Sequence, residues 1–366
     1  MENKPPQTDR KELIQQQLHF FSMPTSRQTG AKGNTILDYD LVPRFIHDKN
    51  AKSVRLSDEP EPKIIQLAEK ERYAIYPAII KKKVGVNKGR TCAIYPGTRE
   101  SLIEDCLILF AQNGEFSLNS SRPGYRLDGG TMGVCFTLSQ LRSALRERNK
   151  EYRLDELREG LEVLQSAYYT YANSNKGDLD IRMSYIVSEM KSLNTGVNEE
   201  SNDRIVYVAF NPRATEGVKK GKYRSFDSAC ALTMKSPIAR YLFKEFTHTW
   251  QNANNKGEPG HVRAIDQNGT ILAAGCLLSS NVTKRKNLLL KALRELADFG
   301  VIQPIDEKLD LTPVKNGKRI VDLQFMVRPT NRFIGQQING FKRLQHSLKI
   351  GDSLSKAEER LRICGG

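Results

Sequence analysis

Ser279-Ser280-Asn281-Val282-Thr283-Lys284-Arg285-Lys286-Asn287-Leu288-Leu289-Leu290-Lys291-Ala292-Leu293-Arg294-Glu295-Leu296-Ala297-Asp298-Phe299-Gly300 is the stretch on which the fold turns. Its periodicity predicts one long helix from Val282 to Phe299, with Gly300 supplying the left-handed turn that stops it. With Leu289 set toward the core, a rotation of about 100° per residue puts Val282, Lys286, Leu293 and Leu296 on the same side. The opposite side carries Lys284, Asn287, Lys291, Arg294 and Asp298. All but the last can donate hydrogen bonds to a phosphate or a base edge. Ser280 and Thr283 lie at the helix start, where free N–H groups and the helix dipole attract phosphate. A recognition helix in a DNA major groove is dressed this way. An exposed face that is merely solvated can look similar, so the neighbouring sequence matters.

That neighbourhood is the frame of a winged helix. Ser236-Pro237 predicts a helix start, with Ser as cap and Pro in the first turn. Ile238, Tyr241, Leu242, Phe246 and Trp250 then face inward. Val262–Ile265 predicts a strand, Asn268-Gly269 a turn, and Ile271–Leu278 a short buried helix before the Ser279-Ser280-Asn281 turn. After Gly300, Val301–Ile305 and Arg319–Val327 predict a hairpin, with Asn316-Gly317 in its loop. Lys315, Lys318 and Arg319 flank its tip and suit phosphate or minor-groove contact. Residues 276–350 hold 14 Lys/Arg against 6 Asp/Glu, which favours a polyanionic partner.

A similar order occurs upstream. Thr98–Phe110 predicts a helix with Leu102, Ile103, Cys106, Leu107 and Phe110 on one face, ended by Asn113-Gly114. Then come a Gly-rich loop to Gly133, a strand at Val134-Cys135-Phe136, and a helix capped by Thr137 with Leu138, Leu141 and Leu145 inward. The next helix carries Leu154, Leu157, Leu161 and Leu164. Its outer face mixes signs (Arg153, Asp155, Glu156, Arg158, Glu162), so only Arg148, Lys150 and Arg153 near its start suit a DNA backbone. Tyr168–Ala172 and Leu179–Val187 flank a turn and predict a hairpin with Lys176 and Arg182. This unit suits backbone contact or dimerisation.

The expected fold class is α+β: tandem winged-helix (winged helix-turn-helix) domains with a flexible N-terminal arm. The arm covers residues 1–72, the first domain 73–210, the second, base-reading domain 211–330, and a C-terminal tail 331–366. The arm is rich in Gln, Pro and charge, and Ser57–Pro62 reads as a linker.

Composition narrows the function classes. The chain has 366 residues, 57 Lys/Arg and 42 Asp/Glu, a net charge of +15 and 39 % hydrophobic residues. The six cysteines include no CxxC pair, and Cys106, Cys135 and Cys276 lie in apolar stretches, so buried reduced thiols in a reducing compartment are expected. The N-terminus has no apolar signal segment, and the run Ile271–Leu278 is far short of a membrane span. A cytoplasmic protein with no membrane partner is expected. The five histidines are scattered, and no P-loop, HExxH or GxSxG motif is present. No enzymatic activity, metal or cofactor is expected.

From about residue 81 to 303 the chain resembles the TrfA-type plasmid replication initiators, relatives of the iteron-binding Rep proteins. The blocks are Phe136-Thr137-Leu138-Ser139-Gln140-Leu141, Tyr152-Arg153-Leu154, Leu161-Glu162-Val163-Leu164-Gln165, Phe210-Asn211-Pro212, Lys235 to Phe243, and Ser280 to Lys284 running on to Leu293-Arg294-Glu295-Leu296 and Gly300-Val301. The resemblance implies a plasmid replication initiator that binds directly repeated iterons at the origin, helps open an adjacent AT-rich tract, and recruits the host helicase and initiator protein. It also implies base reading by the second domain, on Lys284, Asn287, Lys291 and Arg294, and a self-dimer as the inactive or pairing form. Residues 328–366 have no counterpart in the family. In the arm, Gln17-Leu18-His19-Phe20-Phe21 resembles the peptide by which bacterial partners dock on the sliding clamp, with Gln17, Leu18, Phe20 and Phe21 as contacts. A sequence-specific transcriptional regulator built on the same folds is the alternative, and a nonspecific architectural protein a further one.

Overall fold

In a computed structural model, residues 33–47, 54–55, 60–68, 71–85, 87–111, 123–128, 131–173, 181–186, 191–193, 205–219, 223–250, 253–254, 256 and 260–342 are described. The chain is mixed α+β, with small antiparallel sheets. In order, the elements are β1 (Gly33–Ile36), α1 (Leu37–Asp40), β2 (Val54–Arg55), β3 (Lys63–Ala68), β4 (Glu71–Tyr76), β5 (Ala78–Lys81), β6 (Thr91–Ile94), α2 (Thr98–Ala111), β7 (Gly124–Asp128), β8 (Thr131–Thr137), α3 (Leu138–Arg146) and α4 (Leu154–Ser166). The first half closes with β9 (Tyr168–Asn173), β10 (Ile181–Ser184), β11 (Lys191–Leu193), β12 (Ile205–Ala209) and α5 (Pro212–Lys219). The second half holds β13 (Tyr223–Phe226), α6 (Ser228–Thr233), α7 (Pro237–Thr249), β14 (Arg263–Asp266), α8 (Gln267–Ala273), α9 (Val282–Asp298), β15 (Leu311–Asn316) and β16 (Arg319–Val327). A last helix, α10, spans 331–342.

Local chemistry explains most of these boundaries. Thr137 accepts from the Gln140 N–H while the Gln140 side chain accepts from the Thr137 N–H, a capping box that starts α3. Ser236 caps α7 through the Ala239 N–H, with Pro237 in its first turn. Asn281 caps α9 through the Lys284 N–H, and Gly300, at φ +68°, closes it. Other boundaries depart from the sequence expectation: the expected loop to Gly133 holds β7 and the start of β8. Asn268-Gly269 is not a turn but the opening of α8, because the Asp266 carboxylate accepts from the Gly269 N–H. The helix therefore starts and ends earlier than expected, and Leu277 and Leu278 lie outside it, 38 % exposed. Gly275 ends this stretch at φ +74°, where a Cβ would sit 2.0 Å from the Phe45 carbonyl oxygen.

Two cores form. The first runs from Ile36 and Tyr39 through α2, α3 and α4 to Ala214, Val218 and Leu232. The second gathers α7, Leu289, Leu293 and Leu296 of α9, Phe325 of β16 and Phe333 of α10. Helix α5 packs on the first core, and α6 gives Leu232 to the first and Ala231 to the second. The expected tail begins with a helix whose Phe333 is fully buried in the second.

The flexible arm expected to residue 72 is corrected for 33–47 and 60–68. β1 pairs with β13, and β3 with β4. Ile36, Tyr39, Phe45 and Ile46 are buried, and each side chain of this kind contributes about 1.5–3 kcal/mol on leaving water. Residues 33–47 form a strap between the halves. The Ile46 N–H donates to the Pro96 carbonyl at 2.8 Å and the His47 N–H to that of Gly275 at 2.9 Å. Beneath the strap, Lys244 of α7 meets Asp40 at 3.0 Å and Asp105 of α2 at 2.5 Å. Burial drives the Asp40 carboxyl up, but Lys244 and Arg44 outweigh it and hold it below the usual range. Arg44 pairs with buried Glu104, which also accepts from the Tyr39 hydroxyl. The clamp-like residues Gln17, Leu18, Phe20 and Phe21 lie outside the described residues.

Candidate nucleic-acid interface

The outer face of α9 is where the sequence places it. Lys284, Asn287, Lys291 and Arg294 are exposed, as are Ser280 and Thr283 at its start, while Leu289, Leu293 and Leu296 are fully buried. Among the described residues, the side chains of Lys284, Asn287 and Lys291 have no hydrogen-bond or ion-pair partner. Arg294 differs: it pairs with Glu307 at 2.9 Å, and Lys286 holds the same carboxylate at 2.8 Å. The hydrogen bond from Lys286, with the two cations' charge, keeps the Glu307 carboxyl below the usual range. Periodicity placed Arg294 on the right face but could not reveal this tether, whose partner lies 13 residues on.

The hairpin β15–β16 stands beside this helix. Asn316 pairs with Arg319, and Gly317 at φ +59° makes the two-residue turn possible. Lys315, Lys318 and Arg319 are exposed around that tip. The expected first strand, Val301–Ile305, is replaced by Leu311–Asn316, with only Ile302 bridging to Pro329. Arg285 fixes hairpin to helix. Its guanidinium donates to the Ser279 carbonyl at 2.6 Å and to that of Val321 at 3.2 Å. Asn268 adds bonds to the Asp322 carboxylate and the Val321 carbonyl, both at 3.2 Å. Sequence reading missed Arg285 because it lies between the core and solvent faces of the helix. The helix face and the hairpin tip each expose cations, and Arg285 ties the two elements together.

The first half offers less. The Arg148 guanidinium turns back to the Ala144 carbonyl at 2.6 Å, at the end of its own helix. The Lys150 ammonium donates to the Met234 and Thr233 carbonyls at 3.0 and 3.3 Å, joining the halves at the end of α6. Burial, reinforced by Arg240, pushes the Lys150 ammonium pKa down. Arg153 is exposed, and its N–H donates to Glu156 at 2.7 Å. Arg182 lies over the Tyr168 ring, 3.8 Å from its centroid. Helix α4 packs on β5 and the turn after it, where buried Glu159 accepts from the Lys83 and Val84 N–H groups at 2.6 and 3.2 Å and from Arg99 at 3.0 Å.

Among the described residues no group of three or more His, Cys, Asp or Glu could hold a metal, and no helix is long and apolar enough to cross a membrane. Cys92, Cys106, Cys135 and Cys276 are buried, and burial pushes the Cys106 thiol up to about 12. No protein-family model matches the chain, and no characterised protein matches it in sequence. Two crystal structures of domains 2 and 3 of RctB are similar at a TM-score of 0.35. One is 10 % identical and covers 76 % of this chain and 95 % of its own; the other is 9 % identical and covers 80 % and 98 %. Likeness at that level is too slight to assign a fold or a function.

Proposed function

We propose that this chain is a plasmid replication initiator that binds direct repeats in double-stranded DNA through its second half, a winged helix with α9 in the major groove and the β15–β16 hairpin as the wing. The observation that carries DNA reading is the unpartnered Lys284–Asn287–Lys291 face, flanked by the Lys315, Lys318 and Arg319 tip and held by Arg285. A cationic face without internal partners keeps its full charge for phosphates, and Asn and Lys at its centre suit base edges. The first half is a second winged helix in its order of α2, β8, α3, α4 and the β9–β10 hairpin. It serves as framework and pairing surface. Iteron binding, origin opening, recruitment of helicase and host initiator, clamp docking through Gln17–Phe21 and a cytoplasmic setting follow from the resemblance of the sequence blocks. The protein takes no cofactor and catalyses no reaction.

Footprinting the full chain on the DNA flanking its own coding sequence tests the reading. The expected result is protection of several direct repeats, each about two helical turns long, beside an AT-rich tract. Lys284→Ala with Lys291→Ala should weaken it about 10²-fold or more. A single protected palindrome at a promoter would instead make the chain a transcriptional regulator. Preference for the protected site over random DNA below about 10³-fold would leave an architectural protein. A footprint indifferent to the double substitution would remove α9 from the groove.

A further inference from the structure

Leu288 is 41 % exposed on the flank of the helix face that carries Lys284, Asn287 and Lys291. Three leucines in a row cannot all be buried on one helix, because they span about 200° of its circumference. Leu289 and Leu290 enter the core, at 0 % and 4 % exposure, and Leu288 is left facing out. Lys284 and Lys291 are its i−4 and i+3 neighbours, so it shares a surface patch with both, and Asn287 precedes it. A face that only needed solvating would carry a charged or amide side chain here at no cost to the helix. An apolar side chain set among hydrogen-bond donors matches one feature of the major groove: the C5-methyl of thymine, the only apolar group that a base pair presents there.

We propose that Leu288 packs on a thymine C5-methyl, so that the bound site requires a thymine at one fixed position beside the bases and phosphates held by Lys284, Asn287 and Lys291. This rests on α9 lying in the major groove. The test starts with a duplex enriched from a random pool by the full chain, in which each thymine is replaced singly by deoxyuridine. That change removes one methyl and leaves pairing and hydrogen bonding intact. Replacement at one position should weaken the native protein about fourfold, the worth of one methyl-sized group leaving water. Leu288→Ala should weaken binding to the unmodified duplex and be indifferent to deoxyuridine at that position alone. An enriched duplex in which no thymine is sensitive overturns the role of Leu288, as does a Leu288→Ala protein that keeps the sensitivity. A pool that yields no enriched sequence overturns the DNA-reading assignment itself, and Leu288 with it. Because deoxyuridine replacement is read on the unaltered protein, the result does not depend on how the substituted chain folds.

Discussion

Helices α4 and α9 hold corresponding places in the two halves, yet their polar residues are spent differently. In α4, Glu159 is buried against two backbone N–H groups and Arg99, Glu162 pairs with Lys83 at 2.8 Å, and Arg158 with Asp155 at 3.3 Å. In α9, the charges held internally, Arg285, Lys286, Arg294 and Glu295, flank the centre of the face. Glu295 accepts from the Lys235 and Ser236 N–H groups, fixing the start of α7. The middle of the face is unpaired. Sheet pairing differs in the same sense. Strand β14, ahead of the short helix, pairs with β16 of its own hairpin, whereas β8 pairs with β7 and β12 and leaves its hairpin to β4. One copy of the element order is absorbed into the framework, and the other presents its helix and hairpin as a free surface. Similar patterns of elements thus do not imply similar use; the partners of the charged side chains distinguish them.

The largest effect that would break this contrast is at Glu159. Glu159→Ala strands two N–H groups and weakens the hold on Arg99, and it should cost about 3–5 kcal/mol in urea unfolding while the folded fraction binds DNA as before. A variant of unchanged stability would mean that α4 is not anchored through this carboxylate.

Acid sharpens the comparison at the junction that unites the halves. Burial, reinforced by Arg240, pushes the His47 imidazole down to about 3, and burial pushes that of His248 down to about 4. Both are neutral in the folded chain, whereas the unfolded chain protonates them below about 6.5. Their stability is therefore complete above that pH and falls as pH drops toward 4, by up to about 1.4 kcal/mol per pH unit per site. His248→Gln should flatten the decline in urea midpoint between pH 6.5 and 5; an identical decline would remove His248 as its source.

Smaller still is Glu307→Gln, which releases Lys286 and Arg294 and removes one negative charge beside the α9 face. DNA affinity should rise about two- to fivefold and depend more steeply on salt. Unchanged affinity would mean that Arg294 takes no part in binding. The smallest effect is expected for Arg153→Ala with Arg158→Ala on the α4 surface, which should change DNA affinity by less than about threefold. A larger loss would restore the first half as a backbone contact.

The legible parts of the fold are those written in local chemistry. Thr137 with Gln140, Ser236 with Pro237, Gly300 and Asn316-Gly317 each fix a boundary through neighbours a few residues away. The outer face of α9 was legible because burial follows its period. Residues 33–47 were not, since Asp40 and Arg44 look solvated until Lys244 and Glu104 are brought to them from 204 and 60 residues away. The internal bonds of Arg148 and Lys150 are illegible for the same reason. Each is a cation near a helix start, and only the carbonyls that the fold delivers show where it is spent. Asn268-Gly269 has the composition of a turn, but the Asp266 side chain ahead of it made that dipeptide the first turn of a helix.

The strap also sets a timetable. Gly33–Ile36 zips onto Tyr223–Phe226, and Asp40 waits for a lysine 204 residues downstream. At about 5–20 residues per second, a ribosome takes roughly 10–40 s to deliver that partner. Through that interval the Asp40 carboxylate remains on the nascent chain without the ammonium that will pair with it. The first core also draws on Ala214, Val218, Tyr223 and Leu232, so a polypeptide cut at residue 210 would be an unfinished protein rather than a smaller one.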